Sequence, residues 1–356
     1  MTAAPQRNPD EFARSLSAGP APGAPTPGEQ GFRLPAPWSA TAAVWVEPPH
    51  NHETWPGCFK QAAQQHADWV DLMRGHGVTV RTVSGDAAHE TDDSWVRDFG
   101  PLFLQHQERE ERLCVDFRFN AWGGKYDDGR PKDDAAGQAI AKAAEVPCVP
   151  VLYVLEGGAI ETDGRGTLLT TEPCLLNPNR NGPTNRPHVE AVLRHGLGIE
   201  RVVWLPGELQ GDDTDGHVDE SARLAPGNVV LCASAPRDHP DFRATRGNLA
   251  ALQQARTAQG DRFEIVRLPM PEPRRYEYPA DRFGPGGIEH VPASYANFLA
   301  TSPAVFVPVF GEHADDVACR VIETAFPGRS IVPVRAEWLI IGLGSLHCLS
   351  LHEPAP

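Results

Sequence analysis

Short apolar runs recur from one end of this chain to the other and alternate with amphipathic stretches of helical period. Strand-like runs stand at Ala43–Val46, Val151–Leu155, Thr167–Thr171, Arg201–Leu205, Asn228–Ala233, Val305–Val309, Ser330–Val334 and Leu339–Gly342. Between them, Val189, Val192, Leu193 and Leu197 fall on one helical face, as do Val317, Val321, Ile322 and Ala325. Further helices are predicted around Phe59–His76, Asp133–Ala144 and Ala244–Gln259. The alternation predicts an α/β fold, but hairpin-like pairs such as Ala159–Thr171 interrupt any simple βαβ series. No linker rich in Pro or Ser divides the body, and Pro269–Pro285 is expected to be a long surface loop over a site.

The chain is 356 residues long, enough to bury a large core, and its 40% hydrophobic and 22% charged residues are those of an ordinary globular protein. Its 47 acids against 32 bases give a formal charge of -15. That argues against nucleic acid as a partner, which calls for a basic patch, and suits a small cation. No apolar run approaches a membrane span. The first 30 residues, biased to Pro, Ala and Gly, read as a disordered tail without the apolar core of a secretory signal, leaving 31–356 as one catalytic domain. The seven cysteines are scattered and include no C-x-x-C pair, so the expectation is a reducing cytoplasm in which one thiol could be a nucleophile.

The densest charge lies in GDDTDGHVDE, Gly211–Glu220, where five carboxylates surround His217. A metal, a cationic organic substrate or a solvated loop would each explain it. A calcium loop of the EF-hand type fails because Gly211 takes the first ligand position and Ala222 the twelfth. The His cluster of a zinc hydrolase is missing, so neither metal nor cofactor is expected. Three other segments carry reactive groups: DDSWVRDFGP with Trp95 and Asp98, LEGGAIETDGRGT with Glu156, and GLGSLHCLS with Cys348 beside His347. Taken singly, Asp98 could cap a turn, Glu156 could be a bridged acid at a strand end, and Cys348 could be a small buried apolar residue.

Taken together and in this order, these segments resemble the agmatine deiminase family of guanidine-modifying enzymes, related to bacterial peptidylarginine deiminase. The resemblance runs from GFRLPAPW at Gly31 to CLSLHEP at Pro354. It includes PHNHETWPG, WVRDFGP, FNAWGGKY, EGGAIETDGRGTLLTTEPCLLNPNRN, DTDGHVDE, ASYANF and GLGSLHC. It implies a five-bladed α/β propeller, the pentein fold, built from pseudo-fivefold ββαβ modules around a central pocket, and a homodimer or larger homo-oligomer. It further implies that Asp98 and Asp219 grip a guanidinium, Glu156 and His217 handle protons, Cys348 attacks the guanidinium carbon, and Trp95 and Trp122 bind substrate.

The chemistry suits those residue types. Carboxylates match the guanidinium fork through paired, charge-assisted hydrogen bonds, and a polarisable sulfur suits a weak electrophile with delocalised charge. Nearby carboxylates and low polarity should raise the thiol pKa, and a bound cation should reverse that. The expected reaction is hydrolysis of agmatine to N-carbamoylputrescine and ammonia through an S-alkylthiouronium. Another guanidino substrate, such as free or peptidyl arginine, is the near alternative, and a non-catalytic acidic or divalent-ion-binding protein the remote one. The chain departs from the family's usual residues at Phe99, Glu220, Ser302, Leu343 and Ser345. Phe99 could remodel the cavity or pack behind it.

Overall fold

The computed structural model of the protein describes residues 8–16, 24–126, 128–279 and 286–356. Among these residues five units repeat one pattern, an antiparallel pair and then a crossover helix leading to a third, parallel strand, and the first of them carries a fourth strand, Phe32–Arg33. Leu102–His106 pairs antiparallel with Arg112–Arg118, helix Pro131–Ala143 follows, and Cys148–Val154 lies parallel. Ile160–Thr162, Thr167–Thr171, helix Arg186–Leu197 and Arg201–Leu205 repeat it. So do Ala222–Ala225, Val229–Ser234, helix Phe242–Gln254 and Glu264–Pro269. A fourth unit is Leu299–Ala300, Ala304–Val309, helix His313–Ala325 and Ser330–Arg335. The fifth joins the two ends of the chain: Ser350–Pro354 pairs with Thr41–Val46, and helix Phe59–Gly75 leads to Val80–Thr82. The sheets remain separate from one another, so the architecture is mixed α/β with five like units.

Local chemistry sets the boundaries. Asn185 caps helix Arg186–Leu197 by accepting the His188 backbone N–H, and Gly198 ends it at φ +68°. Glu312 and Asp315 close a capping box on helix His313–Ala325. Strand Ala304–Val309 is buried at all but its last residue, as expected of a central strand covered on both faces.

Three expectations are corrected. Leu339–Gly342 is a 3₁₀ turn rather than a strand. Its backbone is satisfied by distant side chains: Gln65 Oε1 accepts the N–H of Trp338 and Leu339, and Trp55 Nε1 donates to the Leu339 carbonyl. Within the supposed tail, Pro9–Leu16 is a helix with Ala13 buried. Asp10 pairs with Arg194 at 2.8 Å, and Arg14 with Glu29 at 2.7 Å; the rest of that expectation, at 1–7 and 17–23, lies outside the described residues. In place of a long loop from Pro269, Arg274–Tyr278 pairs with Gly287–Val291, while 280–285 lie outside the described residues. Tyr278 OH anchors that hairpin on the Ile341 carbonyl at 2.7 Å. Among the described residues no helix is long and apolar enough to cross a membrane.

Candidate active site

Each unit's first strand is preceded by a turn that carries a reactive or polar side chain inward. Asp98 lies in the helical turn Val96–Phe99 ahead of Leu102–His106. Glu156 precedes the 3₁₀ turn Gly157–Ala159 and strand Ile160–Thr162. His217 caps the 3₁₀ turn Val218–Glu220, which holds Asp219 ahead of Ala222–Ala225. Asn297 stands just before Leu299–Ala300, and Cys348 just before Ser350–Pro354. Residues far apart in the sequence therefore meet in one place because five like turns point at it.

The sulfur sits among donors and acids. Asn297 Nδ2 is 3.0 Å from Cys348 Sγ, and the thiol in turn faces Asp219 Oδ2 at 3.6 Å and Glu220 Oε1 at 3.7 Å. Asn297 is itself fixed, its Oδ1 accepting the Ser345 hydroxyl at 2.9 Å and the His347 N–H at 3.0 Å. Burial, then the charges of Asp219, Glu220 and Asp98, push the Cys348 thiol well above its ordinary pKa. The thiol is therefore protonated in the free protein at neutral pH.

Asp98 is held by Trp122 Nε1 at 2.9 Å on one oxygen and by the Gly158 N–H at 3.0 Å on the other. Burial and then Asp219 nevertheless raise its pKa well above the usual carboxylate range. Asp219 accepts from His347 Nδ1 at 2.7 Å through Oδ2, leaving Oδ1 without a partner among the described residues. Burial raises Asp219 as well, opposed by Arg223 and Arg97.

His217 is buried, with Nδ1 3.7 Å from Asp98 Oδ1 and Nε2 4.0 Å from Glu156 Oε2; neither nitrogen hydrogen-bonds a described residue. Burial, reinforced by Arg180 and Lys125, holds its pKa well below the usual value, so the ring is neutral and able to take a proton. Glu156 receives Arg180 Nε at 3.1 and 3.2 Å. Gly158 leaves the central space open. A Cβ there would lie 2.5 Å from His217 Nδ1, 2.9 Å from Asp98 Oδ1 and 3.1 Å from Asp219 Oδ2.

Above this floor opens a small cavity with Trp95, Trp122, Tyr126, Asp213 and Leu343 on its walls and Asp98 and Cys348 at its base. Ala121 and Trp122 both adopt left-handed backbone, at φ 55° and 54°. That costly conformation aims the Trp122 N–H at Asp98.

The structure thus brings together all seven residues singled out from sequence: Asp98, Glu156, His217, Asp219, Cys348, Trp95 and Trp122. It divides the other acids of GDDTDGHVDE by task. Asp212 shapes the loop by accepting the N–H of Thr214 and His217, and Asp215, at φ +63°, pairs with Arg180 and Lys125. Asp213 lines the cavity and accepts from Tyr126 OH at 2.9 Å. Sequence reasoning missed Asn297, Arg180 and the role of His347, although Asn297 lies in ASYANF and Arg180 in NPNRN. Among the described residues, two groups could hold a metal ion by spacing, Glu156–Cys174–His217 and Asp219–Glu220–Cys348, each with ligand atoms within 4.8 Å. Arg180 already occupies Glu156 in the first, and the second surrounds the sulfur itself.

The departures separate cleanly. Phe99 packs behind the site, edge-on to Phe119 at 6.3 Å. Ser302 is exposed and bonds the Thr41 backbone N–H at 2.7 Å. Leu343 lines the cavity at φ +75°, where a glycine would be unstrained. Ser345 supports Asn297, and Glu220 adds a buried carboxylate beside the sulfur.

Known proteins resemble this chain over most of its length. The family described as Porphyromonas-type peptidyl-arginine deiminase matches residues 33–354. An agmatine deiminase of Pseudomonas fluorescens (strain SBW25) is 33% identical over 363 residues, covering 93% of this chain and 98% of that protein. Among solved structures, the agmatine deiminase of Enterococcus faecalis superposes with a TM-score of 0.85 at 28% identity, covering 94% of this chain and 98% of that one. A dimethylarginine dimethylaminohydrolase shares the fold at a TM-score of 0.51 and 15% identity, covering 88% of this chain and all of that one.

Proposed function

The chain belongs to the Porphyromonas-type peptidyl-arginine deiminase family, and from that premise we propose that it hydrolyses agmatine to N-carbamoylputrescine and ammonia. The observation that carries this is the buried meeting of one thiol, one neutral imidazole and a set of carboxylates around the open space over Gly158. We read residues 31–356 as one catalytic domain and the five like units as blades of a pentein propeller, a reading supported by their common strand pattern.

In this mechanism the guanidinium enters between Asp98 and Asp219, whose ionisation it favours by placing a positive charge in a site of low polarity. The same charge lowers the Cys348 pKa, and the thiol proton passes to His217. Sulfur bonds to the guanidinium carbon to give a tetrahedral adduct. The C–N bond to a terminal nitrogen then breaks, and His217 returns its proton to the departing ammonia. The remaining S-alkylthiouronium is attacked by water, whose proton goes to His217. As the C–S bond breaks and the thiolate leaves, the hydroxyl formed from that water loses its remaining proton to solvent and becomes the ureido carbonyl, and His217 returns its proton to sulfur. Glu156, fixed by Arg180, lies on the Nε2 side of His217 and stabilises the imidazolium while it lasts. Asn297 donates to the sulfur throughout. No step calls on a metal.

Agmatine has a primary ammonium at its far end, and Asp213 on the cavity wall offers it a carboxylate. The net charge of -15 is consistent with a cationic small molecule as partner. A mass-spectrometric comparison of agmatine, arginine and a short arginyl peptide, with and without EDTA, tests the reading. Ureido product from agmatine with wild type but not with Cys348→Ala is expected, unchanged by EDTA. Conversion of arginine or the peptide in preference to agmatine would replace the substrate, and conversion by Cys348→Ala would overturn the mechanism.

A further inference from the structure

The turns that build the site have a second side. Asp98 and Cys348 line the first cavity, while their sequence neighbours Arg97 and His347 line another small one. All five units contribute to it: Arg97 and Leu102 from one, Glu161 and Thr162 from the next, then Arg223, Leu299, and His347 with His352. The two cavities are therefore separated by one layer of residues.

Charge in the second cavity is unbalanced. Arg223 is fully buried, with Nη1 donating to the carbonyls of Ala296 and Phe298 at 2.9 and 2.7 Å. Its Nε is 3.1 Å from Glu161 Oε2, and its Nη2 has no hydrogen-bond partner among the described residues. Arg97, also buried, makes one side-chain hydrogen bond among the described residues, from Nε to the His347 carbonyl at 3.2 Å. Asp98 and Asp219 attract Arg97 through the wall without hydrogen-bonding it. Glu161 is the one acid in the described lining, and it also accepts the Leu224 N–H at 3.0 Å. His352, whose Nε2 lies 2.9 Å from Thr41 Oγ1, is kept neutral by burial, its pKa pushed down to about 3. Two guanidiniums thus face a cavity that supplies one carboxylate.

We propose that this second cavity binds a small carboxylate-type anion, of formate, acetate or bicarbonate size, between Arg97 and Arg223. A planar oxyanion matches the guanidinium fork, and it would satisfy the donor that Arg223 leaves unpaired. Burial and the like charge of Arg223 press the Arg97 pKa down to about 10, the mark of a cation short of compensation. The site reaches the catalytic side through charge: Arg97 and Arg223 both favour the ionised form of Asp219, and an anion between them offsets that field.

Leu34 is partly buried and lies on the lining, outside the catalytic set, so a side chain there can enter the cavity without touching the chemistry. Calorimetric titration with sodium formate at fixed ionic strength, on wild type, Leu34→Glu and Leu34→Gln, tests the proposal. One saturable formate site in wild type and Leu34→Gln, lost in Leu34→Glu because its own carboxylate fills the site, is expected. Absence of saturable binding in wild type, or formate binding as tightly to Leu34→Glu, would overturn it. Loss in both variants would assign binding to cavity shape and overturn the arginine pair as its basis. The outcome does not depend on which guanidine is hydrolysed.

Discussion

Asn297 directs its side-chain amide N–H at Cys348 Sγ from 3.0 Å, and of the contacts around that sulfur it is the one that favours thiolate. Asp219, Glu220 and Asp98 all act the other way. Asn297→Ala is expected to raise the thiol pKa of the free protein and to lower kcat/KM about 10- to 100-fold, the usual worth of a hydrogen bond to a charged group. Ultraviolet titration of the thiolate together with steady-state kinetics checks both. A changed kcat/KM with an unmoved thiol titration would leave Asn297 only a packing role.

The cation should ionise the thiol, so the acidic limbs of two pH profiles should differ. The limb of kcat/KM reports the free protein, where Cys348 is raised, and the limb of kcat reports the complex, where the guanidinium offsets the carboxylates. The kcat limb is expected at lower pH. Glu220→Gln removes one of the acids opposing thiolate and should move the kcat/KM limb downward toward it; a tenfold gain in thiolate at fixed pH corresponds to about 1.4 kcal/mol. Coincident limbs in wild type would contradict substrate-assisted ionisation.

Gly158 keeps open the space where Asp98, His217 and Asp219 converge. Gly158→Ala puts a methyl 2.5 Å from His217 Nδ1. Displacement of that ring or of the bound guanidinium should lower kcat/KM on the order of 10²-fold. Near-wild-type turnover in a correctly folded variant would show that the guanidinium sits elsewhere.

The organisation of the fold was largely legible because strand and helix periodicities are local. What escaped depended on distant partners. Leu339–Gly342 reads as a strand from its apolar run, yet Gln65 and Trp55 claim its backbone groups and turn it. Helix Pro9–Leu16 is held partly by contacts with Arg194 and His188, which no tail composition announces. The site shows the same division. Its reactive side chains sit in recognisable motifs, so Asp98, Glu156, His217, Asp219 and Cys348 could be named from them. Asn297, Arg180 and His347 act by orienting those groups, and orientation is a property of the folded contacts. Phe99 was ambiguous for the same reason: only its contact with Phe119 shows that it packs behind the cavity.

Asp133 offers a test of stability away from the chemistry. Its Oδ1 accepts the N–H of Asp92 at 2.6 Å and of Asp93 at 3.3 Å, while Oδ2 has no partner among the described residues. Burial raises its pKa from 3.8 to about 8. An acid raised on folding favours the native state most below its unfolded pKa and loses that contribution as pH rises through the folded one. Wild type should therefore lose stability relative to Asp133→Asn between about pH 4 and 8, as followed by urea unfolding at several pH values. A gap independent of pH would contradict the assignment.

The chemistry rests on a covalent bond between Cys348 and the guanidinium carbon, which intact-protein mass spectrometry can detect after rapid acid quenching of turnover with agmatine. A transient species heavier by agmatine less ammonia is expected, mapped by peptide digestion to Cys348 and missing from Cys348→Ala. Turnover with no such species in wild type, or an adduct mapped to another of the seven cysteines, would contradict it.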